Sequence, residues 1–160
     1  MSDRVATLSA FAQHAFTRFD NSTKDLRETE IEWKPVEEAN NIRWILTHMS
    51  QQWNLGVERT LRGDPNFKLV GWPDDYVGSR RLTLDEIMAD MRKGRTKVIE
   101  GISKLSPSEL DVEITTPRGV RKREAMLMTL ISEITHHEGQ IAYIRGAISR
   151  RRQTDAHFLT

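Results

Sequence analysis

Apolar residues recur at helical spacing over four stretches of the chain. Val5, Leu8, Phe11, Ala12, Ala15, Phe16 and Phe19 stand three and four apart and predict a first helix from about Asp3 to Leu26. Ile42, Ile45, Leu46, Met49, Trp53 and Leu55 to Val57 mark the inner side of a second, which starts near Val36 or Asn40 and runs to Arg62. Gly63, Asp64 and Pro65 stop it. A third opens at Thr83-Leu84-Asp85-Glu86, which has the form of a capping box. It continues through Ile87, Met88, Met91, Val98, Ile99 and Ile102 to about Leu105, weakened slightly by Gly94 and Gly101. The fourth, Glu124 to Arg151, places Leu127, Leu130, Ile134, His137, Ile141, Ile144 and Ile148 at steps of 3, 4, 3, 4, 3 and 4. That is the core seam of a helix bundle, with a histidine inside it.

The connections differ in character. Asn21 to Pro35 reads as a link, and Asp64 to Leu82 as a long loop carrying Phe67, Trp72, Pro73 and Tyr76. Loops of that length inside a compact domain are usually functional or mobile, and Trp72 and Tyr76 are candidates for a lid. Ser106 to Glu109 reads as a short helical turn. Val112 to Thr116 alternates, Pro117-Arg118-Gly119 turns, and Val120 to Arg123 returns, which predicts a small β-hairpin before the fourth helix. Four long helices without βαβ alternation predict one all-α domain over residues 1–160: a four-helix bundle with a long loop between helices two and three.

Composition narrows the function. With 24 basic and 23 acidic residues the net charge is +1, which gives no reason to expect nucleic acid or an anionic membrane as partner. Arg118, Arg121, Lys122 and Arg123, and Arg150 to Arg152, form two basic clusters; the latter suits a helix C-terminus. The absence of cysteine excludes disulfides, thiolate ligands and a cysteine nucleophile. Residues 1–20 lack the apolar core of a signal peptide, and no apolar run approaches a membrane span, so a cytoplasmic protein is expected.

The candidate chemistry lies in the histidines. His48 sits near Ile45 and Met49, where it can face the bundle axis. His137 lies on the fourth seam with Glu133 four residues before it. Four helical steps turn about 400°, so the two side chains project from one face a turn apart. Such a carboxylate–imidazole pair plus a third donor from another helix makes a three-ligand metal site with open positions. The bland alternative is a hydrogen-bonded core histidine and a solvated Glu133, or one paired with Arg43 or Arg145. His14, beside Phe11 and Ala15, is expected as a satisfied core histidine and His157 as exposed; Trp44 and Trp53 are expected in the core. Gln140 suits either a ligand contact or a buried cap.

Two segments carry a family resemblance. Ile134-Thr135-His136-His137-Glu138-Gly139-Gln140-Ile141, followed by Tyr143-Ile144-Arg145, resembles the last helix of the DinB/YfiT-like family. Trp33-Lys34-Pro35 and Asn40 to Met49, with its Trp-x-x-x-His, resemble that family's second helix. The likeness covers nearly the whole chain. It implies a four-helix bundle holding a divalent metal (zinc, nickel, iron or manganese) through three histidines, and chemistry on small-molecule substrates with a low-molecular-weight thiol. It also implies a homodimer. Two of the histidines match His48 and His137; the third position holds Glu133. Either Glu133 ligates as an anion, or His136 contributes, or the site is empty. Glu133 is the better fit, because His136 is rotated about 100° from His137. The expected function is a metal-dependent transferase, isomerase or hydrolase; the alternative is a non-catalytic metal- or small-molecule-binding bundle acting as a dimer.

Overall fold

In a computed structural model of the protein, residues 3–116 and 119–159 are described. The chain is mostly helical, with one two-stranded antiparallel hairpin. Helix α1 spans Arg4–Thr23. The carboxylate of Asp3 accepts from the N–H groups of Val5 and Ala6, satisfying donors that the first turn leaves open. The link after it contains a short helix, α2 (Glu28–Ile31), which four residues of apolar pattern could not reveal.

The second long helical segment starts at Ile42, where the Asn41 side chain caps the Trp44 N–H at 2.9 Å. It comprises α3 (Ile42–Gln51), one π-helical turn (Gln52–Gly56) and α4 (Val57–Arg62). Gly63 ends it at φ 67°, a left-handed conformation that costs glycine little. Helix α5 (Leu84–Ser103) begins at the capping box, with Thr83 and Glu86 each holding the other's backbone N–H. A second capping box, Ser106 with Glu109, opens α6 (Pro107–Leu110). Strands β1 (Glu113–Thr116) and β2 (Gly119–Lys122) pair Ile114 with Arg121, so the expected hairpin is present; Pro117 and Arg118 of its turn lie outside the described residues. Helix α7 (Arg123–Thr154) closes the chain.

Helix α1 packs on α5 and α7, and α3 packs on the same two. The core between them holds Phe16, Phe19, Ile45, Leu46, Met49, Trp53, Ile87, Met91, Ile102 and Ile141. Phe16 and Phe19 meet Trp53 edge-on, with centroids 4.8 and 5.2 Å away. On α7 the buried stripe takes in Leu127, Ile131, Ile134, His137, Ile141, Ile144 and Ile148, with Ile131 rather than Leu130 fully inside.

Several sequence expectations change. His14 is exposed on α1, not in the core, because the stripe of that helix passes through Ala12, Ala15 and Phe16. Tyr76 is buried but is no lid over the histidines. Its hydroxyl bonds Ser50 on α3 at 2.9 Å and Asp90 on α5 at 3.1 Å, and Trp72 packs against its ring. Ser50 is two residues from His48, roughly 200° around the helix, so Tyr76 packs on the other side of α3. The basic clusters are largely absorbed into the fold. Arg123 is buried and donates to the carbonyls of Thr60 and Glu109, Lys122 pairs with Asp111, and Arg152 reaches the buried Glu30 at 2.7 Å. No described helix is long and apolar enough to cross a membrane.

Candidate metal centre

Helix α3 delivers His48 and α7 delivers Glu133 and His137. One ligand atom from each of the three lies within 4.8 Å of the others. The His48 and His137 rings meet at 5.0 Å between centroids, inclined by 68°. The pair on α7 follows from its spacing: Glu133 Oε2 lies 3.5 Å from His137 Nε2, one turn away. The third donor arrives because Ile45 and Met49 are drawn into the core and set the rotation of α3.

Each donor is held. Trp44, one turn before His48, lies parallel to its imidazole at 4.9 Å and 9°. On the other helix His137 Nδ1 is 2.8 Å from Gln140 Oε1. An amide oxygen only accepts, so Nδ1 carries the proton and Nε2 keeps its lone pair. The Gln140 Nε2 amide in turn lies 3.2 Å from His136 Nε2. The Nε2 lone pair of His137 therefore faces the Glu133 carboxylate, two electron-rich atoms that a cation between them would reconcile. This donor chemistry fits a divalent ion: two neutral imidazoles, one carboxylate, and an outer hydrogen bond fixing the tautomer.

Electrostatics keep the imidazoles neutral. Burial pushes His48 below the ordinary histidine value; the nearby His137 adds to this and Glu133 opposes it. Burial does the same to His137, where His136 adds to the effect while the Gln140 hydrogen bond and Glu133 resist it. His137 is nearly enclosed, whereas 42% of the Glu133 side chain is accessible, so the group has one wet side.

Other residues singled out from the sequence lie elsewhere. His136 is exposed, with its ring 5.0 Å from that of His137, and is not among the three grouped donors. His157 is exposed near the C-terminus. Arg43 pairs with Glu28 and Glu32, and Arg145 with Glu30, so neither is the partner of Glu133. Glu138, adjacent to His137, turns towards α1. Burial raises its pKa, but the Ser22 hydroxyl and the Arg18 guanidinium together outweigh that and leave it lowered. Sequence reasoning assigned Trp44 to the core and left Gln140 undecided. The i, i+4 spacing of Trp44 and His48, and the i, i+3 spacing of His137 and Gln140, were the available signals.

No curated protein matches the chain. A family model does: that of the DinB superfamily aligns with residues 11–141, which include α3, α5 and all three donors. The chain therefore belongs to the DinB superfamily.

Proposed function

We propose that this protein is a divalent-metal-dependent enzyme, built on a four-helix bundle of the YfiT-like kind, with His48, Glu133 and His137 as the metal ligands. What supports the reading is one observation: three donors from two helices converge within 4.8 Å, and the His137 lone pair is aimed at the Glu133 carboxylate. When bound, the ion supplies Lewis acidity that lowers the pKa of a ligated water or thiol. The chain's own residues do the rest. The two imidazoles stay neutral through burial and so remain donors at neutral pH. Glu133 offsets part of the ion's charge. Gln140 holds the His137 tautomer, and Trp44 shields one face of His48 from water.

The reaction proposed is transfer or isomerisation on a small molecule with a low-molecular-weight thiol as co-substrate, in the cytoplasm, with neither nucleic acid nor membrane as partner. A second copy of the chain is the proposed protein partner. The apolar groove between α1 and α7, with Leu8 at its floor and Phe11 and Met128 accessible on its sides, supports that pairing.

Elemental analysis of tag-free protein, beside His48→Ala, Glu133→Ala and His137→Ala, tests the metal. About one transition metal per chain, reduced in all three variants, is the expected result. Folded protein that takes up no zinc, nickel, manganese or iron on reconstitution would rule the reading out. A thiol-transfer screen of the loaded protein, with apoprotein as control, then tests catalysis against mere binding.

A further inference from the structure

In helix register the three donors stand between the linings of two surface cavities, one turn from Gln52 and Leu130 of one and from Ile45 and Gln140 of the other. On α7, Met126, Leu130, Glu133, His137, Gln140 and Ile144 follow one another at steps of 4, 3, 4, 3 and 4, a stripe beside the core seam. Across from it, Ile45, His48, Gln52, Gly56 and Arg59 line up at steps of 3, 4, 4 and 3. The two cavities differ in character. One, of about 480 Å³, lies between Ile45, Gln140, Tyr143 and Ile144 and is mostly apolar. The other, of about 150 Å³, lies between Gln52, Arg59, Leu130 and the hairpin residue Thr115.

The smaller cavity has the chemistry of an anion pocket. Arg59 Nε donates to the Phe67 carbonyl at 2.9 Å, which pins the guanidinium. Among the described residues its outer nitrogens have no carboxylate partner, whereas neighbouring Arg62 is paired with Glu58. Gln52 and Thr115 contribute neutral donors to the same wall. Space for the Gln52 amide exists because residue 56 is glycine: a Cβ there would stand 2.6 Å from Gln52 Oε1 and 3.5 Å from Leu130. One planar cation ringed by neutral donors, in a small cavity, matches a single carboxylate better than a multiply charged phosphate.

We propose that the substrate is an elongated small molecule whose carboxylate end is held by Arg59, with Gln52 and Thr115, while its reacting group meets the metal between His48, Glu133 and His137. This rests on the metal reading above. It also accounts for the π turn between His48 and Arg59, since such turns often occur at functional sites.

Alkyl hydroxamates of graded chain length, ending in a carboxylate or in the matching amide, test it on cobalt-loaded protein. Ligation is followed by the visible cobalt spectrum and affinity by calorimetry. At the chain length that reaches from the metal donors to Arg59, the carboxylate should bind about tenfold more tightly than the amide. Arg59→Gln should abolish that preference and leave amide binding and cobalt content unchanged; Arg59→Lys, which keeps the charge but not the fork, should retain only part of it. No carboxylate preference at any length, or a preference that survives Arg59→Gln, would overturn the proposal while leaving the metal site standing. Failure of the protein to bind cobalt would overturn both.

Discussion

At the scale of the residue, Gln140 decides which nitrogen of His137 is a donor. Gln140→Leu removes the acceptor and frees the tautomer, so metal affinity should fall about 10- to 100-fold with the fold intact. A chelator competition titration reads this directly, and unchanged affinity would show that the ring is oriented by packing alone. The pH dependence has a definite sign. Both histidines have folded-state pKa values below the ordinary 6.5, so the unfolded chain binds more protons as pH drops past that value. Metal-free protein should keep its full histidine contribution above about pH 6.5 and lose it progressively below. Urea midpoints between pH 7.5 and 5.5 report the change, and His48→Ala with His137→Ala should flatten it. The carboxylates held by capping and ion pairs act in a lower window: Glu86 and Glu109 lose their contribution as pH falls below about 4.5, and Asp111, lowered to about 2 chiefly by Arg4, loses its own between about 3.8 and 2.

At the scale of the element, two glycines in α5 have a meaning the sequence did not disclose. As helix residues they cost propensity, and an alanine would ordinarily gain about 1 kcal/mol. Yet a Cβ at Gly94 would stand 2.7 Å from Trp53 Cβ and 2.8 Å from Asn54 Nδ2. The π turn is pressed against α5 there, and Asn54 donates to the Asp90 carbonyl across the same contact at 3.0 Å. Overpacking at such a site costs about 1–3 kcal/mol, enough to exceed the propensity gain. Gly94→Ala should therefore lower stability in denaturant unfolding; a stabilised variant would mean that α5 can move away freely. Gly101 differs, because a Cβ there would meet only the Cδ1 end of the Leu61 side chain, which can turn aside; the constraint on α5 is at Gly94.

At the scale of the whole molecule, buried charge ties the chain ends to the helical core. Glu30 of α2, only 3% exposed, accepts from Arg152 at 2.7 Å and lies 3.5 Å from Arg145, joining a link near the N-terminal half to the end of α7. Arg4 joins α1 to Asp111 and Glu124. These ties leave the α1–α7 groove lined by Leu8, Phe11 and Met128 as an apolar face on the outside. If a second copy covers it, Phe11→Ser combined with Met128→Ser should convert dimer to monomer in light scattering without loss of helicity. An unchanged dimer would place the pairing on another face.

The four long helical stretches, the stop at Gly63, the capping box at Thr83 and the hairpin before α7 were legible in the sequence, while the third helix ends at Ser103, two residues before the expected Leu105. Each is set by contacts among residues a few positions apart, and local spacing encodes those. So was the Glu133–His137 pair, for the same reason. Membership of the DinB superfamily was legible from motifs at His48 and His137, whose order and separation survive in the linear chain. The buried or exposed state of His14, the place of Tyr76 between Ser50 and Asp90, and the stacking of Trp44 on His48 were decided only by tertiary structure. They depend on how far each helix is rotated about its own axis, and packing of one helix against another sets that rotation. The meeting of His48 with two residues more than eighty positions away is of the same kind. The sequence supplies the donors; the packing of α3 against α7 brings them within reach of one ion.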